Sequence, residues 1–274
     1  MFTNCIYCGD CIDLCKLLDD KSVDLIIADP PYYKIKGDFD YKWDTVDEYI
    51  EWSKLWIKEF KRILKPSGSF YLWGAIGYNK GFALPKIADW IESENMFTIK
   101  NWITQRNTRG YGNCNTYMKS REELLFMVHD SNSTFYTWNT PYLNEKSSRK
   151  DLGANNKPRK NSNKRCSDVW FDITEASQYS NQRFKISDNK NFPTVKALNL
   201  CDRIIKSSSN KNDLVFIPFA GSGSEIVSCI NNKRKFIASE IEQSYIKEII
   251  LNKRIDPLKI PYTYVQDNII KIHI

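Results

Sequence analysis

Asp29-Pro30-Pro31-Tyr32 sets a carboxylate, two prolines and an aromatic ring in four consecutive positions. Proline fixes φ and lacks an N–H, so the loop carbonyls and the Asp29 carboxylate can face a ligand as acceptors, without backbone donors competing. The chemical complement is a flat ring with two N–H donors, such as the exocyclic amine of a nucleobase, and Tyr32 offers a face on which to stack it. Taken alone, the tetrapeptide also reads as a turn that ends a strand. A second chemical segment, Phe219-Ala220-Gly221-Ser222-Gly223-Ser224, lies toward the other end of the chain. Glycines between a strand and a helix let the backbone approach a ligand at the helix N-terminus. Glu240 ends the next apolar run, about twenty residues on, where an acid in such a unit binds ribose hydroxyls. No phosphate-binding lysine follows the glycines, so a nucleoside without a triphosphate fits better than ATP.

These two segments need a frame that brings them together. Val23 to Ala28 (VDLIIA) is almost entirely apolar and ends at the proline pair, which predicts a parallel strand buried on both faces. Val46 to Leu64 carries apolar residues at helical spacing and stops at Lys65-Pro66-Ser67-Gly68, read as a turn. A strand at Ser69 to Trp73, a helix over Phe82 to Glu92, and strands near Phe97 to Thr104 and Glu123 to Val128 follow. Residues 130 to 190 are polar and irregular. Alternation resumes with a helix from about Thr194, a strand at Leu214 to Ile217, a helix after Gly223, a strand at Lys235 to Ser239 and a helix from about Gln243. A βαβ rhythm interrupted once predicts an α/β sheet carrying a large insertion.

The charge is concentrated in that insertion. Residues 146 to 165 hold eight Lys or Arg against one acid, Asp151, which accounts for the whole net charge of +7. With Leu152 and Ala154 as its only apolar side chains, this window reads as a basic loop, either a solvated linker or a contact for a polyphosphate. Lys157, Arg159, Lys160, Lys164 and Arg165 are its candidate DNA contacts, joined by Arg106 and Arg109 in the glycine-containing loop before Glu122. At 274 residues with 42% hydrophobic content the chain can bury a core, which excludes disorder throughout. No uncharged apolar run reaches the roughly 18 residues of a membrane span, and the acidic, cysteine-dense opening is unlike a signal peptide. The expectation is a cytoplasmic protein without membrane contact.

Cys5-x2-Cys8-x2-Cys11-x3-Cys15 has the spacing of a ferredoxin-type iron-sulfur run, but Lys16 stands where that run has proline. The segment also reads as a strand (Phe2 to Tyr7), a Gly-Asp turn and a helix (Cys11 to Leu18), and this arrangement keeps four thiolates from converging. We therefore expect packing cysteines and no metal. Trp52, Trp56 and Trp90 share helical spacing and read as core residues.

Taken in order, these motifs resemble the β-class S-adenosylmethionine-dependent DNA amino-methyltransferases, in which D-P-P-Y precedes F-x-G-S-G. Further points of likeness are Gly9-Asp10, Lys65-Pro66-x-Gly68, Asn101-Trp102-Ile103, Glu122-Glu123-Leu124-Leu125-Phe126, Asp168-Val169-Trp170 and Pro193-Thr194-Val195-Lys196. The NWIT stretch at 101–104, Arg165-Cys166-x-x-Val169-Trp170 and Ser208-Ser209-Asn210 are most similar to MboII-type adenine methyltransferases. The resemblance spans roughly residues 4 to 250. It implies an α/β fold with a Rossmann-like, mostly parallel methyltransferase sheet, an antiparallel edge strand and circularly permuted motif order. It also implies a catalytic half at 1–129, an inserted basic target-recognition region at 130–190, a cofactor-binding half at 191–251 and an extension at 252–274. Asp29, Pro30, Pro31 and Tyr32 are the implied catalytic residues. Asp10, Asp29, Lys196, Phe219, Gly221, Ser222, Gly223, Ser224 and Glu240 are the implied cofactor contacts, and S-adenosylmethionine is the implied cofactor. The implied activity is methylation of the N6 amine of a flipped adenine in double-stranded DNA, within a restriction-modification system. A homodimer and a cognate restriction endonuclease, as functional partner, accompany that reading. Cytosine-N4 methylation is the adjacent alternative, although those enzymes more often carry Ser at the position of Asp29. The other alternative is a non-catalytic DNA-binding relative, since Ile217, Phe192, Ala197 and Glu225 depart from the family pattern around the cofactor.

Overall fold

The first element is a short strand, Cys5–Cys8 (β1), followed by a helix, Cys11–Lys16 (α1), that opens where the Asp10 carboxylate accepts the Ile12 N–H at 2.7 Å. The computed structural model describes residues 3–35, 38–76, 81–112, 114–129, 135–147, 161–174, 176, 185–187, 190–192, 195–266 and 268–274. Val23–Ala28 (β2), Val46–Ile63 (α2), Leu64–Gly74 (β3), Ala83–Ser93 (α3), Thr98–Tyr111 (β4) and Lys119–Val128 (β5) complete the N-terminal half. Short strands at Tyr142–Lys146 (β6), Asn163–Arg165 (β7), Val169–Trp170 (β8), Lys185–Ser187 (β9) and Lys190–Asn191 (β10) punctuate the polar stretch read as irregular. Leu198–Ser208 (α4), Leu214–Ile217 (β11), Ser224–Asn231 (α5) and Lys235–Glu240 (β12) restore the alternation. A helix begun at Gln243–Tyr245 (α6) continues π-helically over Ile246–Ile255, and a hairpin of Tyr262–Gln266 (β13) and Ile269–Ile272 (β14) ends the fold.

Ten strands form one sheet in the order β13-β14-β1-β12-β11-β2-β3-β5-β4-β8. Its centre, β1 through β3, is parallel. The expected antiparallel edge strand is one of several, since β14 joins β1 and β5 joins both β3 and β4 in antiparallel register. Both faces are buried, and β2 shows why its sequence is apolar from Leu25 onward. Leu25 and Ile27 pack into the layer under α4, α5 and α6, while Ile26 and Ala28 pack into the layer under α1, α2 and α3. Side chains alternate across a strand, so the unbroken apolar run from Leu25 to Ala28 serves two cores at once. Among the described residues, no helix is long and apolar enough to cross a membrane.

α2 begins at an N-cap, Thr45, whose hydroxyl accepts the Glu48 N–H at 3.2 Å, and Glu48 reaches back to the Asp44 N–H at 3.0 Å. One orphan donor of the first turn is thereby satisfied, and the residue before the cap is tied to the helix. The helix was expected to reach Leu64 and then turn. Instead Leu64 begins β3, opposite Val23, and the next paired residues are Leu25 and Ser69. The Pro-Gly chemistry of Lys65 to Gly68 forms a bulge inside the strand, where Lys65 pairs with Asp24 at 2.7 Å. Smaller differences are that β1 starts at Cys5, α1 ends at Lys16 and α4 starts at Leu198, with Lys196 in the extended segment before it. Cys5, Cys11 and Cys15 are buried and Cys8 half-buried, and burial pushes all four thiols up in pKa.

Strands β2 and β11 lie side by side, with Leu25 opposite Val215 and Ile26 opposite Phe216. From β2 the chain crosses by α2 to β3 on one side, and from β11 it crosses by α5 to β12 on the other. The strand order reverses between them, and such a reversal opens a crevice at the carboxyl ends of the strands. Asp29 follows β2 and Phe219 follows β11, so the two segments distant in sequence share that crevice.

Candidate active site

The Asp29-Tyr32 loop continues from β2 and is held at its far end by two hydrogen bonds. The Tyr32 N–H donates to Asp40 Oδ1 at 2.6 Å, and the Tyr49 hydroxyl of α2 donates to the Pro31 carbonyl at 2.9 Å. The Pro30 carbonyl accepts no hydrogen bond among the described residues, which makes it and the Asp29 carboxylate the candidate acceptors of this loop. Asp29 Oδ1 accepts the Tyr32 hydroxyl at 2.6 Å. Burial raises the pKa of the Asp29 carboxyl, and Lys196 and Tyr32 oppose that rise.

Lys196 arrives from the far half of the chain. Its Nζ lies 2.6 Å from Glu122 Oε2, 3.2 Å from Tyr32 Oη and 3.4 Å from Asp29 Oδ1, and it sits 4.2 Å from the centre of the Trp73 ring. Burial alone would lower its pKa, but Asp29 and Glu122 outweigh burial and raise it. Glu122 and Glu123 are neighbours on β5 and diverge, as alternation requires. Glu122 faces Lys196, while buried Glu123 accepts the Trp102 indole N–H at 2.7 Å and the Thr104 hydroxyl at 3.1 Å.

At the other wall, Gly221 (φ 49°) and Gly223 (φ 71°) turn the chain from β11 into α5 through left-handed backbone that L side chains rarely adopt. Glu240 Oε2 accepts the Gly221 N–H at 2.8 Å, and its Oε1 accepts the Glu242 N–H at 3.0 Å. Burial raises the Glu240 pKa despite these two donors. Cys8 is opposite Glu240 in the register and the Gly9 N–H donates to the Glu240 carbonyl, so Asp10 and Glu240 sit on adjacent strand ends beside the glycine turn. Ser222 and Ser224 are buried and turned inward, their hydroxyls 3.2 Å apart, with Arg254 donating to Ser224 Oγ at 2.8 Å and to the Ser222 carbonyl at 3.1 Å. Phe219 packs its ring on Trp52 and Trp56. The four departures from the family pattern all lie here. Ile217 is core, Phe192 packs edge-on to Tyr245, Ala197 caps α4, and Glu225 is buried, 3.6 Å from Cys201 Sγ, its carboxyl pushed up to about 7 by burial and by Asp29.

The crevice therefore gathers Asp29, Pro30, Tyr32 and Lys196, with Asp10, Gly221, Gly223 and Glu240 on its neighbouring rim. Arg106 is exposed on β4, directly opposite Arg121 of β5, in the hairpin that continues beyond Glu122. Arg109 lies in β4 with its side chain outside the described residues, and Lys157, Arg159 and Lys160 lie wholly outside them. Lys164 pairs with Glu145 across β6 and β7, and Arg165 is exposed on β7. Asp40, Tyr49 and Trp73 escaped the sequence reading as site residues, and Glu225 was noticed only as a departure from the family pattern. Glu122 was noticed only as part of a strand motif, although a carboxylate beside a continuous apolar run was a usable signal.

A model of the DNA methylase family matches residues 23–252. The type II methyltransferase M1.MboII of Moraxella bovis is 30% identical over 269 residues, covering 91% of this chain and 97% of that one. The DNA adenine methyltransferase YhdJ of Escherichia coli K12 is 32% identical over 247 residues, covering 87% and 79%. Among solved structures, the M1.HpyAVI–SAM complex aligns with a TM-score of 0.59 at 23% identity, covering 90% of this chain and 98% of that one, a likeness of fold.

Proposed function

The chain belongs to the DNA methylase family, and on that premise we propose that it transfers the methyl group of S-adenosylmethionine to the N6 amine of an adenine flipped from duplex DNA, as the modification enzyme of a restriction-modification system. The observation that carries this reading is the shared crevice. The Asp29-Tyr32 acceptors after β2 open beside the glycine turn after β11, with Asp10 and Glu240 at its rim. The donor set suits the cofactor, since two carboxylates stand where ribose hydroxyls and an adenine amine would donate, and the left-handed glycines keep the turn bare of side chains. Bound there, S-adenosylmethionine supplies a methyl group on a positively charged sulfur.

The chain's own residues then account for target activation. An adenine N6 lone pair is delocalised into its ring and is a poor nucleophile until acceptors hold its hydrogens and let the nitrogen pyramidalise. Asp29 and the Pro30 carbonyl are those acceptors, and Tyr32 stacks on the flipped base in place of the neighbours it left. Asp29, rather than Ser, supports adenine as the target. Expression in a methylation-free host followed by modification-sensitive sequencing tests the reading. N6-methyladenine at a fixed sequence motif is expected, whereas N4-methylcytosine or unmodified DNA would overturn it.

The recognition surface is assigned to residues 130–190 together with the β4–β5 hairpin. Arg106 stands exposed on this hairpin, opposite Arg121, whose guanidinium pairs with Glu123 Oε1 at 2.9 Å, so Arg106 offers a cation at the margin of the sheet. Replacing Lys157, Arg159 and Lys160 together by alanine is expected to weaken DNA binding across sequences and to flatten the slope of log affinity against log salt by about 2 to 3. A slope equal to that of the unaltered protein would remove these residues from the interface.

A further inference from the structure

Lys196 ties together four parts of the crevice, yet the reaction described above gives no task to its closest partner, Glu122. We propose that Lys196 is a positioning residue for methyl transfer: it holds Asp29 as a charged acceptor while Tyr32 leaves it to stack on the target base, and Glu122 fixes the ammonium from behind. This rests on the adenine reading.

The geometry supplies the reason. The Tyr32 hydroxyl occupies Asp29 Oδ1 at 2.6 Å. A base that stacks on the Tyr32 ring and donates its amine to Asp29 needs that donor moved. Once it departs, Asp29 is a carboxylate in a cleft where burial favours the protonated form, and a protonated carboxyl donates where the amine needs an acceptor. The charged and titratable groups facing Asp29 are Lys196 from the segment before α4, Glu122 from β5, Glu225 from α5, Tyr49 from α2 and Tyr32 from its own loop. Lys196 alone among them is a cation. It is confined over the Trp73 ring and held at 2.6 Å by Glu122, with 9% of its side chain exposed. The resemblance implied Lys196 as a cofactor contact, whereas its ammonium lies beside Tyr32 and Asp29, the two side chains that would handle the target base.

The test is single-turnover methyl transfer against pH for the unaltered protein and for Lys196→Met, Lys196→Arg and Glu122→Gln, with S-adenosylmethionine affinity measured by calorimetry. Lys196→Met removes the cation that lowers the Asp29 pKa. Its rate at neutral pH is expected to fall on the order of a hundredfold and to recover as pH rises, because the acid limb of the profile moves upward. Glu122→Gln removes a negative neighbour and moves that limb downward, Lys196→Arg keeps it in place, and cofactor affinity stays unchanged in all three. Lost cofactor affinity with an unmoved limb would make Lys196 a cofactor ligand and overturn the inference. If Lys196→Met does not fold, an unmoved limb in Glu122→Gln overturns it equally. Failure of the adenine reading looks different, because the unaltered protein itself then leaves adenine unmethylated, whereas failure of this inference leaves its transfer intact.

Discussion

Asp29→Ala is expected to lose methyl transfer by on the order of a thousandfold or more while S-adenosylmethionine still binds. The substitution removes the charged acceptor of the target amine and leaves the Pro30 carbonyl, a neutral one. The rim that suits the cofactor is built elsewhere, from the glycine turn, Asp10 and Glu240, whose hydrogen bonds do not involve Asp29. Lys196 keeps Glu122 as its partner at 2.6 Å, so the substitution leaves no orphaned cation and the fold should survive. Transfer of a radiolabelled methyl group and calorimetric cofactor binding, measured on the same preparation, separate the two effects. Retained turnover would remove Asp29 from the chemistry.

Phe60→Ala should instead act on the whole molecule. Its ring is fully buried on α2, with Trp56, Phe70 and Phe216 at centroid distances of 5.1, 5.5 and 5.6 Å. Truncating such a phenylalanine loses its transfer free energy and leaves a cavity, about 3 to 5 kcal/mol together. At roughly 2 to 4 °C per kcal/mol for a chain of this size, the melting temperature should fall by about 10 °C. Phe216 belongs to β11 and Phe70 to β3, so the ring braces strands on both sides of β2. A melting temperature within a degree or two of the starting protein would show that the aromatic layer closes over the gap and that α2 does not clamp the strands beneath the crevice.

Much of this was legible from residue types alone, for a local reason. A proline pair or a glycine turn acts within its own few residues, so the loops after β2 and β11 declared themselves wherever they sat in space. The buried strands were legible from their unbroken apolar runs. Leu64 was misread because Pro66 and Gly68 signal a turn, and only pairing with β2 makes that stretch a bulged strand. The Lys196 cluster was invisible for a different reason. Its partners come from the loop after β2, the ends of β3 and β5, and the segment before α4, and no spacing rule connects them. Glu225 looked like a departure from a family pattern, and only its burial beside Asp29 and Cys201 makes it part of the same charged group.

The place where residues 130–190, the proposed recognition segment, meet the sheet bears on how a change of target would be accommodated. Among the described residues of 130–190, β8 is the strand that joins the main sheet, at its margin, pairing with β4 through Thr104 with Val169 and Gln105 with Trp170. A rewritten marginal strand costs its neighbour a few hydrogen bonds and leaves the register of the other strands alone. A change of sequence at β8 therefore stays at the margin of the sheet, five strands away from β11 and the glycine turn that follows it.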